Sequence, residues 1–317
     1  TKLSDATNRL FHKHDDALLT YLEDDGTKIE PEFYLPALPL VLINGAEGIG
    51  TGYSTHVPCF NPKDVEANVL RLIDGRNPIK MTPWYRGFRG SIEETAPGKY
   101  ACRGVYDRID PTTIKITELP IGKWTSDYKE YLEQLVEKGT IKSFTNDSTE
   151  SIVSFTLKLP TGAQKDIDDV LKLTTTIHTT NMHLFDSQNT MRKYASPEEI
   201  LEEFVRVKLD AYRRRKDMLL QEWAKEETVL GDKGRFIMHV IDDVIQVFRK
   251  TQHDITAQLH HHKYPTELHD TLLGIRLYAF TQENVRKIEH ELRQMRAAIE
   301  LLCSTTVPEM WKQDLKT

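Results

Sequence analysis

Leu42-Ile43-Asn44-Gly45-Ala46-Glu47-Gly48-Ile49-Gly50-Thr51-Gly52 is the stretch on which the reading of this chain turns. The apolar run from Leu40 to Ile43 has the length and Val/Ile/Leu content of a buried strand or core segment. Four glycines then fall within eight residues. They mark backbone that must turn tightly or let another backbone come very close. Ile49 is the odd residue among them. It is β-branched and stiff at χ1, in a loop with nothing evident to bury it.

Three readings compete for this loop. It is a glycine-rich turn with Ile49 tucked back into the core, a phosphate cradle, or an apolar wedge for insertion between stacked base pairs. The cradle fails on detail. A P-loop ends in Gly-Lys-Ser/Thr, whereas this loop ends in Gly-Thr-Gly-Tyr. A dinucleotide loop needs a third glycine three residues after its second, and counting from Gly50 or Gly52 reaches Tyr53 and Thr55. The residues alone leave turn and wedge standing.

The 317 residues suit two or three domains with a sizeable core. No apolar run approaches about 18 residues and no signal-peptide pattern opens the chain, so it reads as globular and outside the membrane. Cys59, Cys102 and Cys303 are odd in number and far apart, which argues for a reducing compartment. His260-His261-His262 reads as a polar loop, since adjacent residues do not share a helix face. Net charge is −6, but a DNA footprint depends on where charge clusters. Basic residues gather at Arg86/Arg89, Arg103/Arg108 and Arg206 to Lys216, and acids at Glu23 to Asp25, Asp166 to Asp169 and Glu198 to Glu203.

Periodicity sets out the rest. A short helix is expected in Leu3 to Leu10, a turn at Asp24-Asp25-Gly26, and a helix from Asn61-Pro62 to Asp74-Gly75. Lys99 to Val105, Thr113 to Thr117 and Ile152 to Leu159 have the content of strands in an α+β domain. Thr125 reads as the N-cap of a helix striped by Tyr128, Tyr131, Leu132 and Leu135. Lys123 and Lys129 at its start offer phosphate contacts beside an ordinary surface role. Lys172, Leu173, Thr174, Thr175, Thr176, Ile177, His178, Thr179, Thr180 and Asn181 read as an edge strand or as a phosphate-contacting segment. Asp168-Asp169 and Asp242-Asp243 lie in helical-looking stretches and read as solvated faces, not metal ligands. The last third is helical. Val205, Leu209, Tyr212, Leu219 and Trp223 form one stripe, with Lys216 in its gap. Val285, Ile288, Leu292, Met295, Ile299 and Leu302 form another. Together they suggest an antiparallel coiled coil capped by a helical tip that holds Phe236 to Phe248, a polar His253 to Pro265 insert and Leu272-Leu273-Gly274. Arg213 to Lys216 reads as a solvated flank.

Several collinear motifs carry a resemblance. Pro39-Leu-Val-Leu-Ile-Asn-Gly-Ala-Glu-Gly-Ile-Gly-Thr-Gly-Tyr-Ser54 is followed by Pro83-Trp-Tyr-Arg-Gly-Phe-Arg-Gly-Ser-Ile-Glu-Glu94, Ile116-Thr-Glu-Leu-Pro120, Trp124-Thr125 and Tyr128-Lys-Glu130. Leu272-Leu-Gly-Ile-Arg-Leu277 and Met310-Trp-Lys-Gln-Asp-Leu315 complete the series. From Thr1 to about Leu315 the chain resembles type IIA DNA topoisomerases in their eukaryotic and large-DNA-virus form.

The resemblance implies a multidomain α+β fold. Residues 1–60 would end a winged-helix DNA-gate domain and carry the wedge loop, 61–195 would form the tower that supports the DNA arms, and 196–317 the coiled-coil arms and C-gate. It implies that Ile49 enters the duplex and that residues 172–181 touch DNA, with Arg86, Arg89 and Lys123 as further contacts. It places the nucleophilic tyrosine three residues before Thr1, and the Mg2+-binding carboxylates also upstream, so this chain alone would hold no catalytic residue or cofactor and be inactive. Mg2+ and ATP would serve the full-length protein. Double-stranded DNA and a second copy through the C-gate are the implied partners, in the nucleus of a cell or at cytoplasmic replication sites of a virus. A non-catalytic DNA-bending or dimerisation scaffold is the alternative. The corresponding polypeptide of a two-chain, bacterial-type enzyme ranks below both.

Overall fold

A computed structural model of the protein describes residues 3–160 and 167–316. Thr1 and Lys2, with Asp166 of the acidic run, lie outside them. The backbone is mixed α and β and divides into two compact units, residues 1–11 with 22–208 and residues 12–21 with 209–317.

The first unit begins with α1 (Asp5–Leu10), whose N-cap Ser4 hydroxyl accepts from the Thr7 amide. β1 (Tyr21–Asp24) and β2 (Thr27–Pro31) follow. Asp25 and Gly26 between them both have positive φ, 47° and 75°, as a tight primed hairpin turn requires. The apolar run, which reads as a strand or a core segment, is a single helical turn, α2 (Leu40–Asn44), not a strand. Pro39 at its N-cap fixes the entry, and Leu42 is the residue of this turn that reaches the core. So short a run carries too few residues for its period to show. β3 (Ala46–Gly50) and β4 (Tyr53–Val57) form a hairpin, and α3 (Pro62–Ile73) starts at N-cap Asn61, whose side chain accepts from Lys63 N at 3.0 Å.

Two antiparallel sheets follow. β5 (Ser91–Ala96) and β6 (Lys99–Arg103) belong to one, and β7 (Val105–Asp110) and β8 (Thr113–Glu118) to the other. Helix α4 (Thr125–Glu137) buries Tyr128, Leu132 and Leu135 against Ile114, Ile116, Phe155 and Leu157. Its stripe is the one the sequence shows, but Thr125 is its first helical residue. The N-cap is Trp124, without a side-chain bond. β9 (Ser143–Asn146) and β10 (Phe155–Lys158) complete the four-stranded sheet, ordered β7-β8-β10-β9. After α5 (Ile167–Leu171), β11 (Thr174–His178) joins the edge of the three-stranded sheet, ordered β11-β6-β5, and β12 (Met182–Phe185) pairs with β13 (Met191–Tyr194). Asp168 sits in α5, as expected, and accepts from the Tyr106 hydroxyl at 2.7 Å.

Helix α6 (Pro197–Ile241) supplies residues up to Lys208 to the first unit and the rest to the second. The second unit adds α7 (Gln252–His261), α8 (His269–Leu273), α9 (Gln282–Ser304) and α10 (Val307–Asp314). Contacts between α6 and α9 run in opposite senses. Lys216 Nζ donates to the Cys303 and Thr305 carbonyls at 3.0 and 2.7 Å, Arg296 Nε bonds Glu227 at 2.7 Å, and a Cβ on Gly234 would lie 3.0 Å from Ile288 Cγ2. The pair is antiparallel. Lys216 fills the gap in its stripe because its ammonium caps the C-terminal carbonyls of α9.

The basic run is therefore not a uniform solvated flank. Arg213 and Arg214 pair outside with Asp210, but Arg215 is only 2% exposed. Its Nη2 bonds Asp314 at 2.7 Å, its Nε lies 3.4 Å from Asp15, and its guanidinium covers the Tyr212 ring at 4.1 Å. Tyr212 donates to Asp314 at 2.8 Å and stacks on Trp311. A buried cation persists only with such partners.

At the other end of the second unit Phe236, Ile245, Leu259, Tyr264 and Leu272 form a core. Three expectations change here. Residues 253–265 are no polar insert, since they contribute Leu259 and Tyr264. His260 and His261 close α7 and His262 is its C-cap, so the run is not a loop. Asp242 and Asp243 lie past α6 in a turn, with Asp243 at φ 59°. Among the described residues no cluster of three or more His, Cys, Asp or Glu is placed to hold a metal ion, and no helix is long and apolar enough to cross a membrane.

Candidate nucleic-acid interface

The glycines of the β3–β4 hairpin divide by what the fold asks of them. Gly45 has φ 70°, and a Cβ there would lie 2.8 Å from the Val57 carbonyl, so the fold demands glycine. Gly52 has φ 83° in the turn. Gly48 and Gly50 have neither reason, because an added Cβ would meet nothing nearer than 3.9 Å. Between those two bare positions Ile49 stands 92% exposed. The reading that tucks it into the core is excluded.

The hairpin is braced along the far edge of β4. His56 N donates to the Asn181 carbonyl at 2.7 Å, and His183 N donates to Thr55 Oγ1 at 3.1 Å. Asn181 Nδ2 donates to Ser54 Oγ at 2.9 Å, and Ser54 is the cross-strand partner of Ile49. The end of the threonine-rich segment is thereby fixed to the strand that faces Ile49.

That segment splits by strand alternation. Thr174, Thr176 and His178 are exposed, as are Lys172 and Thr180 on either side. Leu173, Ile177 and Thr179 turn into the core, and Thr175 donates to the Ile121 carbonyl at 3.0 Å. Lys172 is left-handed, φ 48°, where it ends α5. Register then brings in two residues that the sequence reading had not placed here. Thr174 pairs with Arg103, Thr176 with Ala101 and His178 with Lys99, so Lys99 and Arg103 share the outer face with the exposed threonines. Both are exposed. Glu93 lies on the same face, opposite Ala101. The four-residue spacing of Lys99 and Arg103 on one strand was the available signal, but its meaning depends on pairing with a strand seventy residues away.

Lys123 is otherwise engaged. Its ammonium donates to the Lys172 carbonyl at 2.5 Å and lies over the rings of Tyr128 and Tyr131. Burial, and then the charge of Lys172, push its pKa down. Arg89 is held by Glu118 at 3.2 Å and by the Thr117 carbonyl at 2.7 Å, while Arg86 is exposed. The arrangement offers one projecting apolar side chain and, beyond Asn181, a sheet face of hydroxyls and cations. Such groups hold phosphate and sugar without reading sequence.

Comparison with known proteins bears on this geometry. A family model for the A subunits of DNA gyrase/topoisomerase IV matches residues 1–316. DNA topoisomerase 2 of Arabidopsis thaliana is 44% identical over 274 residues, covering 82% of this chain and 18% of the relative. DNA topoisomerase 2 of Acanthamoeba polyphaga mimivirus is 32% identical over 99% of this chain and 31% of its own length. The crystal structure of the Plasmodium falciparum topoisomerase II DNA-binding, cleavage and re-ligation domain superposes with a TM-score of 0.89 at 34% identity, over 99% of this chain and 48% of that one. The chain thus spans less than a third of the length of these curated relatives.

Proposed function

This chain belongs to the type IIA DNA topoisomerases, and from that membership we propose that it binds and bends the DNA segment that its parent enzyme cuts and passes another duplex through. The exposed Ile49 on a hairpin with two otherwise needless glycines carries the reading. Ile49 enters between base pairs, and bare backbone at Gly48 and Gly50 lets the hairpin lie against the groove. Unstacking a step costs roughly a few kcal/mol, offset by contacts along the bent arms. Lys99, Arg103, Lys172, Thr174, Thr176, His178 and Thr180 make those contacts through side chains. Lys123 supports Lys172 from beneath.

Residues 1–60 then end the winged-helix domain, 61–195 form the tower, and 196–317 the arms and C-gate. The exposed Phe248, Leu277 and Tyr278 supply the apolar surface for a second copy. Strand cleavage needs an attacking tyrosine and magnesium. The described residues do not fit a magnesium site, so no chemical step is assigned to them. We place the tyrosine upstream of Thr1, and the ion and ATP with other parts of the parent protein.

Ile49→Ala should lower the DNA bend seen by FRET while affinity falls less than about threefold. Equal bending in mutant and parent would sink the wedge. Affinity should also drop steeply with salt, whereas a dimerisation scaffold would show salt-independent DNA behaviour or none.

A further inference from the structure

Ile49 is not the only large side chain that the hairpin leaves in water. Tyr53 is 58% exposed, and it lies on the other face. Register pairs Ile49 with Ser54 and Gly50 with Tyr53. Alternation along each strand then puts Glu47, Ile49, Ser54 and His56 on one face and Gly48, Gly50, Tyr53 and Thr55 on the other. The residue directly across from Tyr53 is glycine, and so is its diagonal neighbour, although side chains at either position would meet nothing nearer than 3.9 Å. One flank of the ring therefore looks onto bare peptide.

The ring is nevertheless held. Its edge meets His183 with centroids 6.1 Å apart. His183 is fixed in turn by Nδ1, 3.1 Å from the Ser54 carbonyl, and by its amide to Thr55 Oγ1. A positioned aromatic ring with an open flank offers an apolar face, against which the carbon face of a sugar can pack whatever the base, and a hydroxyl for a polar neighbour.

We propose that Tyr53 is a second DNA-contact residue of this hairpin, packing its ring on a deoxyribose of the bent duplex and donating its hydroxyl to a neighbouring phosphate, on the face opposite Ile49. The proposal rests on the wedge reading of Ile49. With contacts on both faces the hairpin cannot roll about its axis in the groove. Ile49 opens the step, and Tyr53 fixes the direction in which the duplex leans.

The test measures affinity and FRET bend of a short duplex for the chain and its variants. Tyr53→Ala should weaken binding about tenfold and reduce the bend, in line with the loss of one packed ring and its hydroxyl bond. Tyr53→Phe should cost about two- to threefold through the lost hydroxyl bond, and Tyr53→Trp, whose ring keeps the packing and whose indole N–H can donate in its place, should bind about as the parent does. If Tyr53→Ala matches the parent while Ile49→Ala loses the bend, the Tyr53 role is overturned and the wedge stands. If neither variant changes anything, the wedge reading fails with it. Should Tyr53→Ala unfold the hairpin, Tyr53→Trp decides instead. Its added indole emission should change when DNA is bound, and unchanged emission overturns the contact.

Discussion

The β3–β4 hairpin and the helical tip of the second unit both put apolar side chains into water, yet they are built in opposite ways. The hairpin has two short strands, a glycine on each side of Ile49, and no core of its own. The tip sets Phe248 and Leu277 around a groove of about 420 Å3, with Tyr278 exposed next to Leu277 in sequence, above a packed core with Phe236 and Tyr264 edge to face. Exposure alone does not name a partner; the support beneath the exposed group does. An apolar side chain that stands between bare glycines on thin backbone fits a gap between bases. A broad patch on a rigid core fits another rigid patch.

The contrast breaks first where the core is cut. Phe236→Ala should cost about 3–5 kcal/mol in chemical denaturation of the second unit and leave the bend made by the hairpin intact. Loss of bending there would mean that the two regions are not independent. Leu277→Glu with Tyr278→Glu should raise the dissociation constant of the proposed dimer about a hundredfold in sedimentation with little change in melting, and an unmoved constant would exclude this patch from that interface. The glycines give a finer cut. Gly45→Ala should destabilise by about 1–3 kcal/mol, because a Cβ at that φ meets the Val57 carbonyl. Gly50→Ala should stay within about 0.5 kcal/mol of the parent but bend DNA less.

The smallest effect is in pH. Burial holds the His239 pKa below its ordinary 6.5, with His262 and Arg235 adding to the shift and Asp242 opposing it. The unfolded chain therefore takes up that proton first. The stability tied to neutral His239 is present above 6.5 and is lost as pH falls through the lower folded value. Melting temperature should drop between about pH 7.5 and 5.5, and His239→Gln should flatten the drop.

Sequence order made some of this legible. The stripe of α4 and the two long stripes were visible because their apolar spacing repeats over several turns. Leu40 to Ile43 was not, since one turn of helix and one short strand use the same residues. The α7 region looked polar because its core contribution is two side chains, Leu259 and Tyr264, among histidines. In the candidate interface Ile49 stood out as a bulky residue among glycines. Lys99 did not, and Arg103 showed only as half of a basic pair with Arg108, because strand register rather than sequence distance sets both beside the threonines. Lys123 fitted a phosphate contact and an ordinary surface role equally well, and only the fold shows its ammonium bound to the Lys172 carbonyl.

One consequence of β11 concerns the chain before it has any partner. Among the described residues β11 is an edge strand with no strand paired on its outer side, the kind of surface on which a neighbouring unfolded chain adds a strand and starts an aggregate. Threonine keeps the β-branched shape that the strand needs and stays hydrated, and Lys172 adds a charge at the entrance. Valine at Thr174 and Thr176 would suit the strand as well and leave a sticky hydrophobic border. The composition that we propose for contact with DNA would then also help to keep newly made copies of this protein apart.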